Sequence, residues 1–266
     1  MSQHATIPHA AIHATAIIDA RARIGANVHI GAFSCIGPNV TIGADTEIGS
    51  HVLIKQDTVL GKHNRIYHGA VLGEDCQHRH YQQQPSQLII GDHNVIREYC
   101  TIHRGSMDAM QTTRIGSHNY IMAGSHIAHD CTIGHHITMA NQTALAGHVQ
   151  VDDYANLAGY TLVHQFCTIG RHVMTGINSV ITKDVPAFIK IAGNPARACG
   201  LNRIGIQRHG FSEAVLVRLK QAYQVVYRQG LTTEEALKVL QPLAEECVAV
   251  SDFTATIRQA RRGILR

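Results

Sequence analysis

The chain has 266 residues, 45% of them apolar, enough for one sizeable domain and a smaller second one. No basic segment followed by an apolar one opens it, and no apolar run approaches the ~20 residues that span a bilayer, which predicts a cytoplasmic protein without stable membrane insertion. The seven cysteines lack any C-x-x-C pair, against a zinc knuckle or redox motif, and a net charge of +4 gives no reason to expect a nucleic-acid partner.

Beginning at Ile12, an aliphatic residue returns at every sixth position, through Ile18, Ile24 and Ile30 to Ile66 and Leu72, often followed by Gly as in IGANVH-IGAFSC-IGPNVT-IGADTE. Four residues after each aliphatic stands a small or β-branched one, among them Val28, Ser34, Val40, Thr46, Val52 and Thr58, which marks a second inward column near a tight corner. The period lapses at 73–89, resumes with Ile90, Ile96 and Ile102, lapses at 103–114 and runs on from Ile115 to Ile181. Both lapses predict protruding loops. A period of six fits neither an amphipathic helix nor a simple alternating strand. Three hexads make a triangular coil of 18 residues, and coils stack at the ~4.8 Å spacing of neighbouring strands. The fold class is an all-β parallel β-helix. Known hexapeptide-repeat proteins wind this coil left-handedly, against the usual crossover rule, and the left hand is taken from that likeness, not from the period.

Past Pro186 the spacing turns helical, so residues 1–188 are assigned to the β-helix and 189–266 to a small C-terminal α-helical domain. Ser212 is the N-cap of a segment carrying Leu216, Leu219, Tyr223 and Val226 on one face. Thr232-x-x-Glu235 reads as a capping box before Ala236, Val239, Leu240 and Leu243, and a third helix is expected over Phe253 to Arg262. Residues 187–266 hold 12 Lys and Arg against 6 Asp and Glu, whereas residues 1–186 hold 11 against 13. An acidic partner is therefore expected here, with Arg218, Lys220, Arg258, Arg261 and Arg262 as its contacts.

Hexads starting at Ile127, Leu145 and Val163 lie 18 apart and read IAHDCT, LAGHVQ and VHQFCT. His129, Gly147, His148, His164 and Gln165 are thus neighbours on successive coils, and His126, just before the corner, joins them. Among 20 histidines any single one is ordinary at an outward turn; a stack of them is not. A neutral imidazole is the usual general base near neutral pH, and an adjacent carboxylate orients it, so His129 is the candidate base and Asp130 its support. One coil away Gly147 presents a backbone N–H, bare of side chain, where an oxyanion would form beside His129. That arrangement suits acyl transfer.

RE-x-x-TIHRG (Arg97 to Gly105), HIAHDC (His126 to Cys131), LAGHV-x-VDD (Leu145 to Asp153), VHQFC (Val163 to Cys167), ITKDVP after the last coil, RHGFS and YRQG together resemble the UDP-N-acetylglucosamine O-acyltransferase family over essentially the whole chain. The resemblance implies transfer of an (R)-3-hydroxyacyl chain from acyl carrier protein to the 3-hydroxyl of UDP-N-acetylglucosamine, the first step of lipid A synthesis, in clefts between subunits of a homotrimer, with no cofactor and no metal. Carried over by position, His129 is the base, Asp130 its carboxylate and Gly147 the oxyanion donor. His126, His148, His164 and Gln165 contact substrate. Asn202 and Arg208 hold the nucleotide, where a guanidinium suits a diphosphate. Gln77 and Tyr81 of the first loop lie near the sugar nucleotide, and Ile177 is the stop that sets acyl-chain length. Three positions depart from the family: His80 where relatives often have Lys, His209 where many have a second Arg, and Ile204 where a carboxylate is common.

Three rival readings are weaker. The N-acyltransferase of the same pathway carries an N-terminal uridine-binding domain, whereas hexads here begin by about residue 12, although a 3-amino sugar acceptor stays open. A zinc hydrolyase of the γ-carbonic-anhydrase type needs three converging imidazoles and leaves the substrate motifs unexplained. A non-enzymatic scaffold would have uniform faces without the two loops.

Overall fold

The structure is a computed structural model that describes residues 12–82, 84–106 and 111–266; residues 1–11, residue 83 of the first expected loop and residues 107–110 of the second lie outside the description. Most hexads fold into a two-residue strand followed by a four-residue corner. The strands gather into three sheets that form the faces of a prism. Face 1 runs from Ile17–Ile18 to Val180–Ile181, face 2 from Arg23–Ile24 to Thr168–Ile169, and face 3 from His29–Ile30 to Met174–Thr175. Pairing within them is parallel and in register, with Ile127 beside Leu145 and Leu145 beside Val163 on face 1.

Both inward columns fill the prism. Ile42, Ile54 and Ile96 are buried, and so are Val40, Ser34 and Thr46 of the corner column. Each aliphatic so placed contributes roughly 1.5–3 kcal/mol. A Cβ on Gly43 would stand 2.5 Å from the carbonyl carbon of Gly61 in the next coil, so that glycine is required by the closeness of the coils. From Asn27 onward most corners turn through a residue of positive φ, such as Asn27 at 56° and Asp45 at 58°, where Asn and Asp are among the least strained non-glycine residues. Inside the corner between faces 2 and 3, buried Asn64, Asn94 and Asn119 form a ladder. The Asn94 amide donates to the Gly116 carbonyl (3.0 Å), and its side-chain oxygen accepts the Asn119 N–H (2.9 Å).

The outside of the same corner carries a second ladder, of rings. His63, His93, His118, His136, Tyr154, His172 and Phe188 stack in turn, with centroids 4.7 Å apart at one end and 5.2 Å at the other. The 18-residue coil places one such ring above the next, and Phe211 closes the end with its edge against His172 and Phe188.

Strand Ile189–Ala192 joins face 3 in parallel, and Arg197–Leu201 pairs with it antiparallel, so β structure continues beyond the last hexad. Neither strand keeps the period that signalled the others. Four helices follow: α1 Arg203–Arg208, α2 Glu213–Arg228, α3 Thr233–Glu246 and α4 Val248–Gln259. Ser212 caps α2 by accepting the Val215 N–H, and Thr232 with Glu235 closes a reciprocal capping box on α3. Three details differ from expectation. The last helix begins at Val248 rather than Phe253 because only Cys247, in an extended conformation, separates it from α3. Val239 is 54% exposed, since α3 packs through Ala236 and Leu240. The one-and-a-half-turn α1 was too short to show a periodicity. Among the described residues no helix is long and apolar enough to cross a membrane.

Two buried histidines, His172 of the ring ladder and His103 beside His126, make stability depend on acid. Burial, then the neighbouring His209 imidazole and Arg171 guanidinium, holds His172 down at about 4; burial, then His126, does the same to His103. A histidine whose folded value lies below its ordinary one binds protons more readily when unfolded, so its stabilising contribution is complete above about pH 6.5 and is lost as pH falls toward 4. The melting temperature should therefore fall across that window. His172→Phe, which keeps a ring in the stack, should make the fall shallower; an equally steep fall in that variant would assign it to other groups.

Candidate active site

The corner between faces 1 and 2 holds the histidine cluster. Asp130 occupies its positive-φ position (58°), and its N–H donates to Thr113 Oγ1 at 2.9 Å. The turn drives the carboxylate inward, where its side chain is fully buried. There it accepts the Ser106 N–H (3.0 Å to Oδ2), the Ser106 hydroxyl (2.5 Å) and the Nδ1–H of His129 (2.9 Å). Burial works to raise the carboxyl, but the bonds from His129 and Ser106 outweigh it, and the net shift is below the ordinary carboxylate range. Asp130 is thus ionised at neutral pH. Its hold on Nδ1–H leaves the His129 Nε2 lone pair to accept a proton.

Gly147 lies one coil above, close against that ring. A Cβ there would stand 2.6 Å from His129 Cε1 and 2.7 Å from Nε2, so any side chain at this position would displace the ring. Among the described residues no backbone carbonyl accepts the Gly147 N–H. The His148 ring meets His129 edge to face at 5.1 Å, stacks on Phe166 at 4.5 Å and holds Nε2 3.8 Å from Asp130 Oδ2. His126 shares a 2.8 Å hydrogen bond with Thr101 Oγ1, and burial, then His129, lowers its imidazole. His164 and Gln165 are exposed on the next coil at the same corner, with His164 Nδ1–H donating to the Gln165 carbonyl (3.1 Å).

Both interruptions of the repeat leave from this corner. Strands flank them closely, Val71–Glu74 and Gln87–Ile90 around the first, Thr101–His103 and Thr112–Ile115 around the second. Buried Arg104 pins the first loop: it donates to the Gly73 carbonyl (2.6 Å), pairs with Asp75 and reaches the Tyr81 hydroxyl (3.4 Å). Gln77 is exposed on that loop. The His80 N–H donates to His78 Nδ1, and the His78 ring stands edge-on to His129 at 6.1 Å.

The remaining expected residues lie at the other two corners. Asn202 caps α1 through the Gly205 N–H and donates to the His172 carbonyl (2.9 Å), which fixes it beside the corner between faces 2 and 3, with exposed Arg208 at the far end of the helix. His209 sets its ring against Tyr154 and His172 at 4.8 and 4.9 Å, and Ile204 is exposed. Ile177, 72% exposed, stands at the corner between faces 3 and 1. One chain therefore brings His126, His129, Asp130, Gly147, His148, His164, Gln165 and the Tyr81 loop together, and leaves Asn202, Arg208 and Ile177 apart from them.

Sequence reasoning missed Ser106, Thr113, His78 and the buried pair His103 and Arg104. The last two were letters of the TIHRG motif, but only the fold shows them beneath His126 and the first loop. Ser106 and Thr113 fall where the hexad period lapses, so nothing in the pattern placed them against Asp130.

Residues 184–265 match the family model described as UDP N-acetylglucosamine O-acyltransferase, domain 2, and residues 21–56 match the bacterial transferase hexapeptide repeat. The acyl-[acyl-carrier-protein]–UDP-N-acetylglucosamine O-acyltransferase of Pseudomonas paraeruginosa is 52% identical over 193 residues, 73% of this chain and 75% of its own. The UDP-N-acetylglucosamine acyltransferase of Francisella novicida superposes with a TM-score of 0.94 at 40% identity, covering 96% of this chain and 93% of that one. The Moraxella catarrhalis UDP-N-acetylglucosamine O-acyltransferase does so with 0.94 at 42% identity, covering 96% and 99%. The β-helix is accordingly of the left-handed kind. With relatives this similar over so much of its length, the chain belongs to the UDP-N-acetylglucosamine O-acyltransferase family and is an acyltransferase.

Proposed function

We propose that this chain transfers an (R)-3-hydroxyacyl group from the thioester of acyl carrier protein to the 3-hydroxyl of UDP-N-acetylglucosamine, the first step of lipid A synthesis. The observation that carries the reading is the His129 Nδ1 to Asp130 Oδ2 hydrogen bond of 2.9 Å beneath the bare Gly147 backbone. Nε2 of His129 takes the proton of the sugar hydroxyl, whose oxygen attacks the thioester carbonyl. The Gly147 N–H stabilises the oxyanion, and collapse breaks the C–S bond as the imidazolium returns its proton to the thiolate. Asp130 keeps the imidazole in the required tautomer throughout.

The same reading makes the working unit a homotrimer. The base, the nucleotide residues Asn202 and Arg208, and the acyl stop Ile177 belong to three different corners of one prism, so a complete cleft needs corners from adjacent copies. Mass spectrometry of the product formed from UDP-N-acetylglucosamine and mixed hydroxyacyl carrier proteins should show one ester at the sugar 3-oxygen. His129→Ala should abolish it, with turnover lowered roughly 10²–10⁴-fold and an unchanged fold by circular dichroism. Absence of product from the native protein would overturn the reading, and near-native turnover in the variant would remove His129 as base.

The outward column of face 1 supports a route for the acyl chain. From His126 it continues through Ala144, Leu162 and Val180 on successive coils, about 14 Å at ~4.8 Å per coil, with Ile177 at the corner just before Val180. An isoleucine there occupies the space of several methylenes, each worth about 0.8 kcal/mol when buried. Ile177→Gly should shift preference toward longer hydroxyacyl chains with turnover largely kept. An unchanged chain-length profile would place the stop elsewhere.

The basic C-terminal part is the proposed dock for the acidic carrier protein. Arg218 already pairs with Glu246 at 3.3 Å and Arg262 donates to the Thr182 carbonyl, whereas Lys220, Arg258 and Arg261 have no ion-pair partner among the described residues. The Michaelis constant for the carrier substrate should rise with ionic strength. A salt-independent constant would exclude an electrostatic dock.

A further inference from the structure

The imidazoles and carboxylate that would move the proton also form a set of metal donors. His129, Asp130 and His148 each offer one ligand atom, all within 4.8 Å of one another, and they are the group of this kind among the described residues. Oδ2 of Asp130 is the shared vertex, 2.9 Å from His129 Nδ1 and 3.8 Å from His148 Nε2. Zinc held by nitrogen and oxygen at 2.0–2.2 Å in a tetrahedron needs donors about 3.3 Å apart; the two separations from Oδ2 lie on either side of that distance, and the third pair, Nδ1 and Nε2, lies within 4.8 Å. The carboxylate side chain is fully buried, while the His129 and His148 side chains retain 14% and 19% exposure. An ion can thus arrive from solvent and meet its anionic ligand at the floor of the site. The stacked Phe166 ring keeps His148 in place from its other side.

We infer that His129, Asp130 and His148 form an inhibitory site for a divalent transition-metal ion, zinc above all, which binds between Nδ1, Oδ2 and Nε2 in competition with catalysis. That metal binding blocks turnover rests on the proposed role of His129; that the metal binds does not. Coordination through Nδ1 requires the other neutral tautomer, so the proton that Asp130 holds on Nδ1 passes through solvent to Nε2 and the ion takes the vacated Nδ1 lone pair. A neutral imidazole coordinated through Nδ1 carries its remaining proton on Nε2, the atom that must be unprotonated to accept the sugar hydroxyl proton. The base is therefore lost without any change in fold. The donor set also fixes which ions act. Two imidazoles and one carboxylate favour zinc, copper and nickel over manganese, and offer magnesium nothing it prefers to water. No thiol, which would favour softer ions, joins the donor set: the neighbouring Cys131 is fully buried and donates to the Ala146 carbonyl.

Cobalt(II) added to the metal-free protein provides the direct readout, because its visible absorption gains intensity when tetrahedral nitrogen and oxygen ligands replace water. The wild-type protein should show this band, zinc should displace it, and both His148→Asn and His129→Ala should lose it. His118→Asn, which removes an imidazole from the ring ladder, should keep it and controls for the other surface histidines. In the acyltransferase assay, filling the site with zinc should lower turnover roughly 10²-fold or more, the factor a general base supplies, with recovery on adding a chelator and no effect of magnesium. A band retained in both site variants, or turnover unchanged when zinc has displaced the cobalt, would overturn the inference. Absence of acyl transfer by the metal-free protein would instead sink the catalytic reading, and the cobalt band would still decide whether the metal site exists.

Discussion

Parallel backbone hydrogen bonds between successive coils hold each residue above the one a full turn earlier, and most other features of the molecule are consequences of that registry. The Ala128 N–H bonds to the Leu145 carbonyl and the Ala146 N–H to the Val163 carbonyl, so whatever side chains stand at one corner are repeated at strand spacing along it. Inward, this gives continuous aliphatic columns and, beneath one corner, an asparagine ladder that satisfies otherwise buried amides. Outward, it gives columns of different chemistry: stacked rings at one corner, an imidazole cluster at the next, and an apolar strip along face 1. Helical bundles obtain proximity by packing separate elements. Here proximity is a matter of counting.

That is why so much could be read before the fold was known. The aliphatic period located the prism, and the offset of 18 placed Gly147 and His148 over His129 and Asp130 without any further information. The count fails where the chain leaves the coil. Ser106, which gives Asp130 two of its hydrogen bonds, sits in a segment without period, and Arg104 reveals its role only through the loop it fastens. It fails again after the last hexad, where strands Ile189–Ala192 and Arg197–Leu201 pair by continuing an existing sheet edge rather than by a pattern of their own. The helical caps, in contrast, are local devices, and Ser212 and Thr232 were legible from a few neighbouring residues.

At the imidazole cluster, the decisive quantity is where one proton resides. A buried, ionised carboxylate on one side of His129 assigns the proton to Nδ1, and the absence of a side chain on Gly147 keeps the opposite edge of the ring approachable. His209 follows the same principle of stacked corners, since its ring meets Tyr154 and His172 at the end of the ladder. The protein thus draws its chemistry and much of its packing from residues that a repeat leaves free to vary.

The two interruptions show how such a molecule can change length over evolution. From Leu72 to Ile90 the chain takes 18 residues where 6 would do, and from Ile102 to Ile115 it takes 13, yet the strands on either side stay in register. Because each insertion departs and returns at one corner, its length need not be a multiple of anything. An insertion of one residue within a strand, by contrast, would send every later aliphatic to the outside of the prism. Growth of the prism itself is therefore quantised in whole coils, whereas growth of the loops is continuous. A lineage with this architecture can lengthen its corner loops residue by residue, but can deepen the prism only by duplicating or deleting an entire turn.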